Sequence, residues 1–204
     1  MKFIPSILLF FFLLSFSSCS TKTVEPELPD ANPPAPVIPE EPIPEKEKML
    51  WFDAEANFER FSKKENITYY LDLAKSTGFN KIVVDVRPVQ GDALFKSSYL
   101  TPLTDLAGIH IERDWDYLQF FIDEAHKREL KVTVSTTIFT AGLPSSKNGM
   151  AYRDDTWNGK TCLEYTKDQG LIDIKNDKTK VSAFLNPVLP EVQDFCLNFI
   201  KELV

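Results

Sequence analysis

The 204-residue sequence has little of what several common kinds of site require. Its three cysteines, Cys19, Cys162 and Cys196, are too few for a disulfide-stapled mini-protein. Its two histidines, His110 and His126, argue against a histidine-rich metal site, and His110 has no partner at metal-ligand spacing. Seven glycines exclude collagen-like and glycine-repeat architectures. No phosphate-binding glycine loop, nucleophile elbow or zinc motif occurs, so no cofactor and no metal are expected. Basic charge is also in deficit: 23 Lys and Arg stand against 30 Asp and Glu, a formal charge of −7, which argues against a nucleic-acid partner. What is present is apolar side chain, 43% of residues, enough for a packed core.

The apolar residues begin in an address. Lys2 gives residues 1–19 a short positive start, and residues 7–16 are a nearly unbroken apolar run. That run is shorter than the ~20 residues of a spanning helix. Ser17 and Ser18 then precede Cys19, the pattern of a bacterial lipoprotein signal. The expected chemistry is cleavage before Cys19 and acylation of Cys19, anchoring the protein to a membrane of the cell envelope. That membrane would be the outer membrane or the cell surface of a Gram-negative bacterium. Residues 18–22 with the acidic stretch behind them resemble lipoproteins of Bacteroidetes. Residues 20–46 hold eight prolines and six acids against two lysines, a composition that favours an extended tether.

Residues 47–204 alternate strand and helix signals. Met49-Leu50-Trp51-Phe52 reads as a first strand, with Trp51 in the core. Ser62-Lys63-Lys64-Glu65 has capping-box spacing. Ile67, Tyr70, Leu71 and Ala74 then share one helical face, and Gly78 is placed to end that helix. Ile82-Val83-Val84-Asp85-Val86 reads as a strand of a parallel sheet. Leu118, Phe121, Ile122 and Ala125 repeat the helical spacing, and residues 132–138 read as the third strand. Residues 139–182 form a long polar excursion with a short ribbon around residues 171–174. Pro190 suits the first turn of a last helix whose face is Val192, Phe195, Cys196, Phe199, Ile200 and Leu203. The order β-α-β-α-β implies parallel strands and right-handed crossovers. A (β/α)₈ TIM barrel takes about 250 residues, so the expected fold class is α/β, a barrel truncated after about three βα units. The other reading is a complete three-stranded α/β domain.

Barrel sites lie at the C-terminal ends of strands. That rule selects Asp53 and Glu55 after the first strand, and Asp85, Arg87 and Asp92 at and after the second. In the long excursion it selects Tyr152, Arg153, Asp154, Asp155 and Trp157, and it selects Asn186 where the chain returns. Asp53, Glu55 and Asp85 are candidate catalytic carboxyl groups. Asp85 and Arg87 share a face if the strand continues, either as an ion pair or as a clamp for sugar hydroxyls. Trp157 and Tyr152 either stack on sugar rings or pack the loop. Cys162 and Cys196 either pair or remain free, Cys196 as a buried thiol.

Three segments resemble the glycosyl hydrolase-like 10 family of secreted or lipid-anchored (β/α)₈ proteins. They are Arg87-Pro88-Val89-Gln90-Gly91-Asp92-Ala93-Leu94-Phe95, Glu124-Ala125-His126-Lys127-Arg128 and Phe184-Leu185-Asn186-Pro187-Val188-Leu189-Pro190-Glu191-Val192. The resemblance covers residues ~48–204 and implies a glycoside hydrolase acting on a polysaccharide or cell-wall glycan. It implies that Asp85, Arg87, Asp92, Asn186 and Trp157 position the sugar. It places the catalytic carboxylates on a fourth strand and beyond, past residue 204. Where many members carry an aromatic-Asn-Pro segment after the third strand, this chain has Ser135-Thr136-Thr137-Ile138-Phe139-Thr140. The alternative function is a non-catalytic, surface glycan-binding lipoprotein that keeps the fold.

Overall fold

The structure is a computed structural model and describes residues 46–204. The expected signal, the expected acylation site at Cys19 and all of the expected tether but Lys46 lie outside the described residues. In chain order the elements are β1 (Met49–Phe52), α1 (Lys64–Ser76), β2 (Lys81–Asp85), β3 (Asp105–Leu106), β4 (Ile109–His110), α2 (Tyr117–His126), β5 (Lys131–Ser135), α3 (Met150–Arg153), β6 (Leu163–Thr166), β7 (Gly170–Asp173) and α4 (Pro190–Lys201). β1, β2 and β5 form a parallel sheet in the order β1-β2-β5. The sheet is open, and the described residues contain no closed barrel. β3 and β4 pair as a small hairpin within the β2–α2 connection, and β6 and β7 as a second ribbon.

Strand alternation decides which side chains form the core. Phe52 lies opposite Val84, and Val84 opposite Val134. Phe52 and Val84 are buried, and Phe52 meets the rings of Phe61 and Phe121 at 5.3 and 5.1 Å. Ile67 and Leu71 of α1 and Phe121 of α2 complete this layer, all fully buried. The register Trp51–Val83–Thr133 belongs to the other face. There Met49 and Trp51 are 54% and 60% exposed. The expectation of Trp51 in the core is thereby corrected. The apolar run does not say which of two adjacent residues faces the helices, and Phe52 takes that place.

The helix ends are set by local chemistry. Ser62 does not cap α1: its hydroxyl donates to the Glu59 carbonyl at 2.7 Å within the turn before the helix, and the N-cap position falls on Lys63. At the other end Phe79 N–H reaches Ala74 O and Gly78 N–H reaches Lys75 O, both at 3.0 Å, a Schellman closure with Gly78 at φ +87°. α2 starts on Asp116, whose carboxylate accepts from Gln119 N–H at 2.9 Å. It closes the same way, with Leu130 N–H on Ala125 O and Glu129 N–H on His126 O at 3.0 Å. Here the left-handed position is a glutamate, Glu129 at φ +54°. A side chain costs about 1–2 kcal/mol in that conformation, whereas the exposed Glu129–Lys75 ion pair contributes at most ~1 kcal/mol. Glu129→Gly is therefore expected to raise the melting temperature by about 2–4 °C. A fall on thermal unfolding would show that the closure is unstrained.

The excursion after β5 is tightly held. Ala141 N–H donates to Ala183 O, Ala183 N–H to Gly142 O and Ala151 N–H to Ala141 O, each at 2.7 Å. Ala141, Ala151 and Ala183 are buried. The returning chain runs into α4, where Pro190 occupies the first turn and Val192, Cys196 and Phe199 are buried. Among the described residues Cys162 and Cys196 are both free and do not pair with each other.

Candidate functional site

Asp53 follows β1 directly, and Asp85 is the last residue of β2. The parallel register, Phe52 opposite Val84, brings them side by side at the C-terminal edge of the sheet. Asp53 and Glu55 are exposed, and Asp53 Oδ1 accepts from Ala56 N–H at 2.8 Å. Asp85 is half-buried. Burial pushes its carboxyl above the usual aspartate range, and the charges of Asp53 and Glu55 push the same way against the backbone N–H groups of Arg87 and Ala54. Tyr117 is 1% exposed, and its hydroxyl has no hydrogen-bond partner among the described residues. Burial raises the Tyr117 pKa; the nearby Arg113 cation opposes this and the charges of Asp85 and Asp53 add to it. Chemically, this edge offers one carboxyl group that holds its proton to higher pH than usual, next to two solvent-facing carboxyl groups. An open hollow of about 410 Å³ adjoins it, walled by Glu55, Asn57, Arg60 and Ile109.

Arg87 and Asp85 form no ion pair among the described residues. β2 ends at Asp85, so the alternation that would put both on one face stops there. Arg87 instead turns inward and is fully buried. Its guanidinium donates to Thr137 O, to Ile138 O at 3.2 Å, and to Thr140 Oγ1 and O at 3.2 and 2.6 Å. It lies 4.9 Å over the Phe199 ring. Burial lowers its pKa to about 10, with Cys196 and Asp92 opposing, so the group stays charged at neutral pH. Any effect of Arg87 on a ligand passes through the loop it ties.

Asp92, 2% exposed, is held from two sides. Arg153 donates Nη1 to Asp92 Oδ1 at 2.7 Å and Nη2 to Oδ2, and Gln90 Nε2 reaches Oδ2 at 2.9 Å. This two-point pairing joins residues 61 apart in sequence, which no local pattern reveals. Asp92 and Trp157 share a cleft of about 260 Å³ with Tyr99, Arg153 and Phe195. Tyr99 and Tyr117 were not among the sequence candidates: Tyr99 lies past the motif, and Tyr117 reads as one more apolar helix residue.

The remaining candidates are placed elsewhere. Tyr152 packs the loop, its hydroxyl donating to Lys175 O at 2.7 Å and its pKa pushed up to about 12 by burial and by Asp173. Asn186 Oδ1 accepts from Val188 N–H at 3.1 Å and shapes the turn into α4. His126 is exposed, and His110 pairs with Asp105 at 2.9 Å. Among the described residues no three His, Cys, Asp or Glu side chains are grouped to hold a metal, and no helix is long and apolar enough to cross a membrane.

The profile of a family described as glycosyl hydrolase-like 10 matches residues 47–204. The chain belongs to the glycosyl hydrolase-like 10 family. Within reach of this family assignment are two kinds of relative. An S-layer-related protein of Niallia circulans is 32% identical over 167 residues, covering 78% of this chain. The glycosyl hydrolase DigH of Escherichia coli K12 is 29% identical over 136 residues, covering 66% of this chain, and the protein of the same name from Shigella flexneri matches equally. The chain spans 10% of the length of the first relative and 30% of the second. The family match contains all the acids at the sheet edge, the buried Arg87 and the Asp92–Arg153 pair.

Proposed function

We propose that this glycosyl hydrolase-like chain processes a glycan, with Asp85 as the proton donor to a glycosidic oxygen. The observation that carries this reading is the half-buried Asp85 carboxyl at a strand end beside Asp53, its pKa raised by burial and by the charges of Asp53 and Glu55. Glycoside hydrolysis generally needs a second carboxylate. Asp53 and Glu55 are candidates, and the family resemblance adds acids on a fourth strand. The open sheet, covered by helices on one face, is what the first units of a (β/α)₈ barrel would present. In the proposal the glycan is extracellular or part of the cell envelope, and Cys19 supplies a lipid anchor there.

Reducing-end release from a panel of glycans between pH 4 and 8 tests this. Asp85→Asn is expected to lose about 10²–10⁴-fold in rate. Full activity in that variant would remove Asp85 from the mechanism. The second reading, glycan binding without hydrolysis, is favoured by the use of the motif residues Arg87 and Asp92 in packing. Binding without product release from the wild-type chain would establish it.

The same substitution has a stability signature. A carboxyl whose folded pKa is raised lets the native state keep a proton the unfolded chain loses near pH 4. Stability therefore falls as pH rises from about 4 through the raised value. Asp85→Asn carries no such penalty. Urea unfolding is expected to show the variant more stable than wild type at pH 7, with the gap closing near pH 4. An equal gap at both pH values would contradict the raised pKa.

A further inference from the structure

We propose that the cleft between the β2–α2 connection and α3 binds one uncharged pyranosyl residue of a glycan, separately from the Asp85 carboxyl. The inference rests on the glycan reading above and adds a subsite and a sugar class to it. The cleft volume, about 260 Å³, lies just below the ~300 Å³ lower end of small-molecule sites, room for one ring rather than a chain.

Its walls carry two kinds of group. Tyr99, 49% exposed, and the half-buried Trp157 offer aromatic surface for the C–H face of a sugar. Phe195 props the indole edge-on at 4.7 Å and 67°. The Lys160 ammonium lies 5.7 Å over the indole, so Tyr99 is the freer platform. The polar wall is Arg153, whose side chain is 34% exposed. Asp92 takes one N–H from each terminal guanidinium nitrogen, and the others are held ready for hydroxyl oxygens without further ordering. Asp154 on the cleft wall adds an acceptor, its Oδ1 already fixed by Thr156 N–H at 2.8 Å. Among the lining residues Asp92 already pairs with Arg153 and Asp154 adds a negative charge, while Lys160 stands outside that lining on the indole, so no unpaired cation lines the cleft for a sugar carboxylate and a neutral sugar fits better.

The test is titration of the full chain by calorimetry with chitotetraose and cellotetraose as neutral probes and tetragalacturonate as the acidic one. At least one neutral probe is expected to bind, and the acidic probe to bind at least about tenfold more weakly. Tyr99→Ala and Trp157→Ala are each expected to weaken the neutral probe by roughly 3–10-fold, and Asp85→Asn to leave it unchanged. Tyr99 is surface-exposed, so its variant reports even if removal of the indole disturbs folding. No neutral binding by the folded wild-type chain, equal binding of the acidic probe, or undiminished binding by Tyr99→Ala would each overturn the proposal. Binding as expected without any hydrolysis leaves the cleft standing and removes the catalytic reading. Binding lost in Asp85→Asn and kept in Tyr99→Ala does the reverse.

Discussion

Gly149→Ala is expected to cost about 2–5 kcal/mol, a large part of the 5–15 kcal/mol that holds a typical domain together. Gly149 sits at φ +106°. A Cβ there would lie 2.4 Å from Gly142 Cα, 2.7 Å from Gln90 O and 3.1 Å from Ala141 O. All three are backbone atoms, which cannot rotate aside as a side chain would. The left-handed conformation contributes about 1–2 kcal/mol and the overpacking about 1–3 kcal/mol. Gly108→Ala is the control. Gly108 has φ +81° but nothing within 4 Å of the added methyl, so it bears only the conformational cost. Urea unfolding of both variants separates the two terms. Equal losses would mean that the loops around Gly149 are not packed as described.

Arg87→Met is the second large effect, expected at about 2–4 kcal/mol. Methionine keeps much of the bulk and removes the hydrogen bonds to Thr137 O, Ile138 O, Thr140 Oγ1 and Thr140 O. A buried carbonyl left without a donor costs about 1–3 kcal/mol. Relief from burying a charge with no bonded carboxylate offsets part of this. Arg87→Lys is expected to recover less than half, because one ammonium cannot span the acceptors a planar guanidinium reaches. The urea midpoint of Arg87→Met should fall by roughly 1–2 M. An unchanged midpoint would mean the buried guanidinium gives no net stability, and that its role lies in shaping the loop.

The strand and helix order was legible because each element is written in local periodicity. The apolar run of β1, the β-branched run of β2 and Pro190 at the head of α4 all carry their own signals. Faces and partners were less legible. Trp51 and Phe52 are equally apolar, and only the helices on one side of the sheet decide which is covered. The third strand was expected to reach residue 138 but stops at Ser135, because Thr137 turns to bond Arg87 O through both its N–H and its hydroxyl. The hairpin β3–β4 is two residues a side, too short for periodicity to register. At the site, Asp53 and Asp85 became neighbours through strand register, which β-branched runs suggest. The Asp92–Arg153 pair depends on how a long loop folds back, and sequence spacing carries nothing about that.

A connection as long as the one after β5 is ordinarily where a protein breathes. Here its first half is closed on itself by the Ala151 amide and bolted to the returning chain by the Ala141 and Ala183 amides, and Ser182 Oγ donates to Val89 O at 2.9 Å. The β6–β7 ribbon is different: Leu163, Tyr165 and Leu171 are 62%, 74% and 70% exposed. The Arg87 tie does not depend on this ribbon, since its acceptors lie in residues 137–140. One segment thus supplies both a tied wall beside Asp92 and a solvent-facing apolar rim.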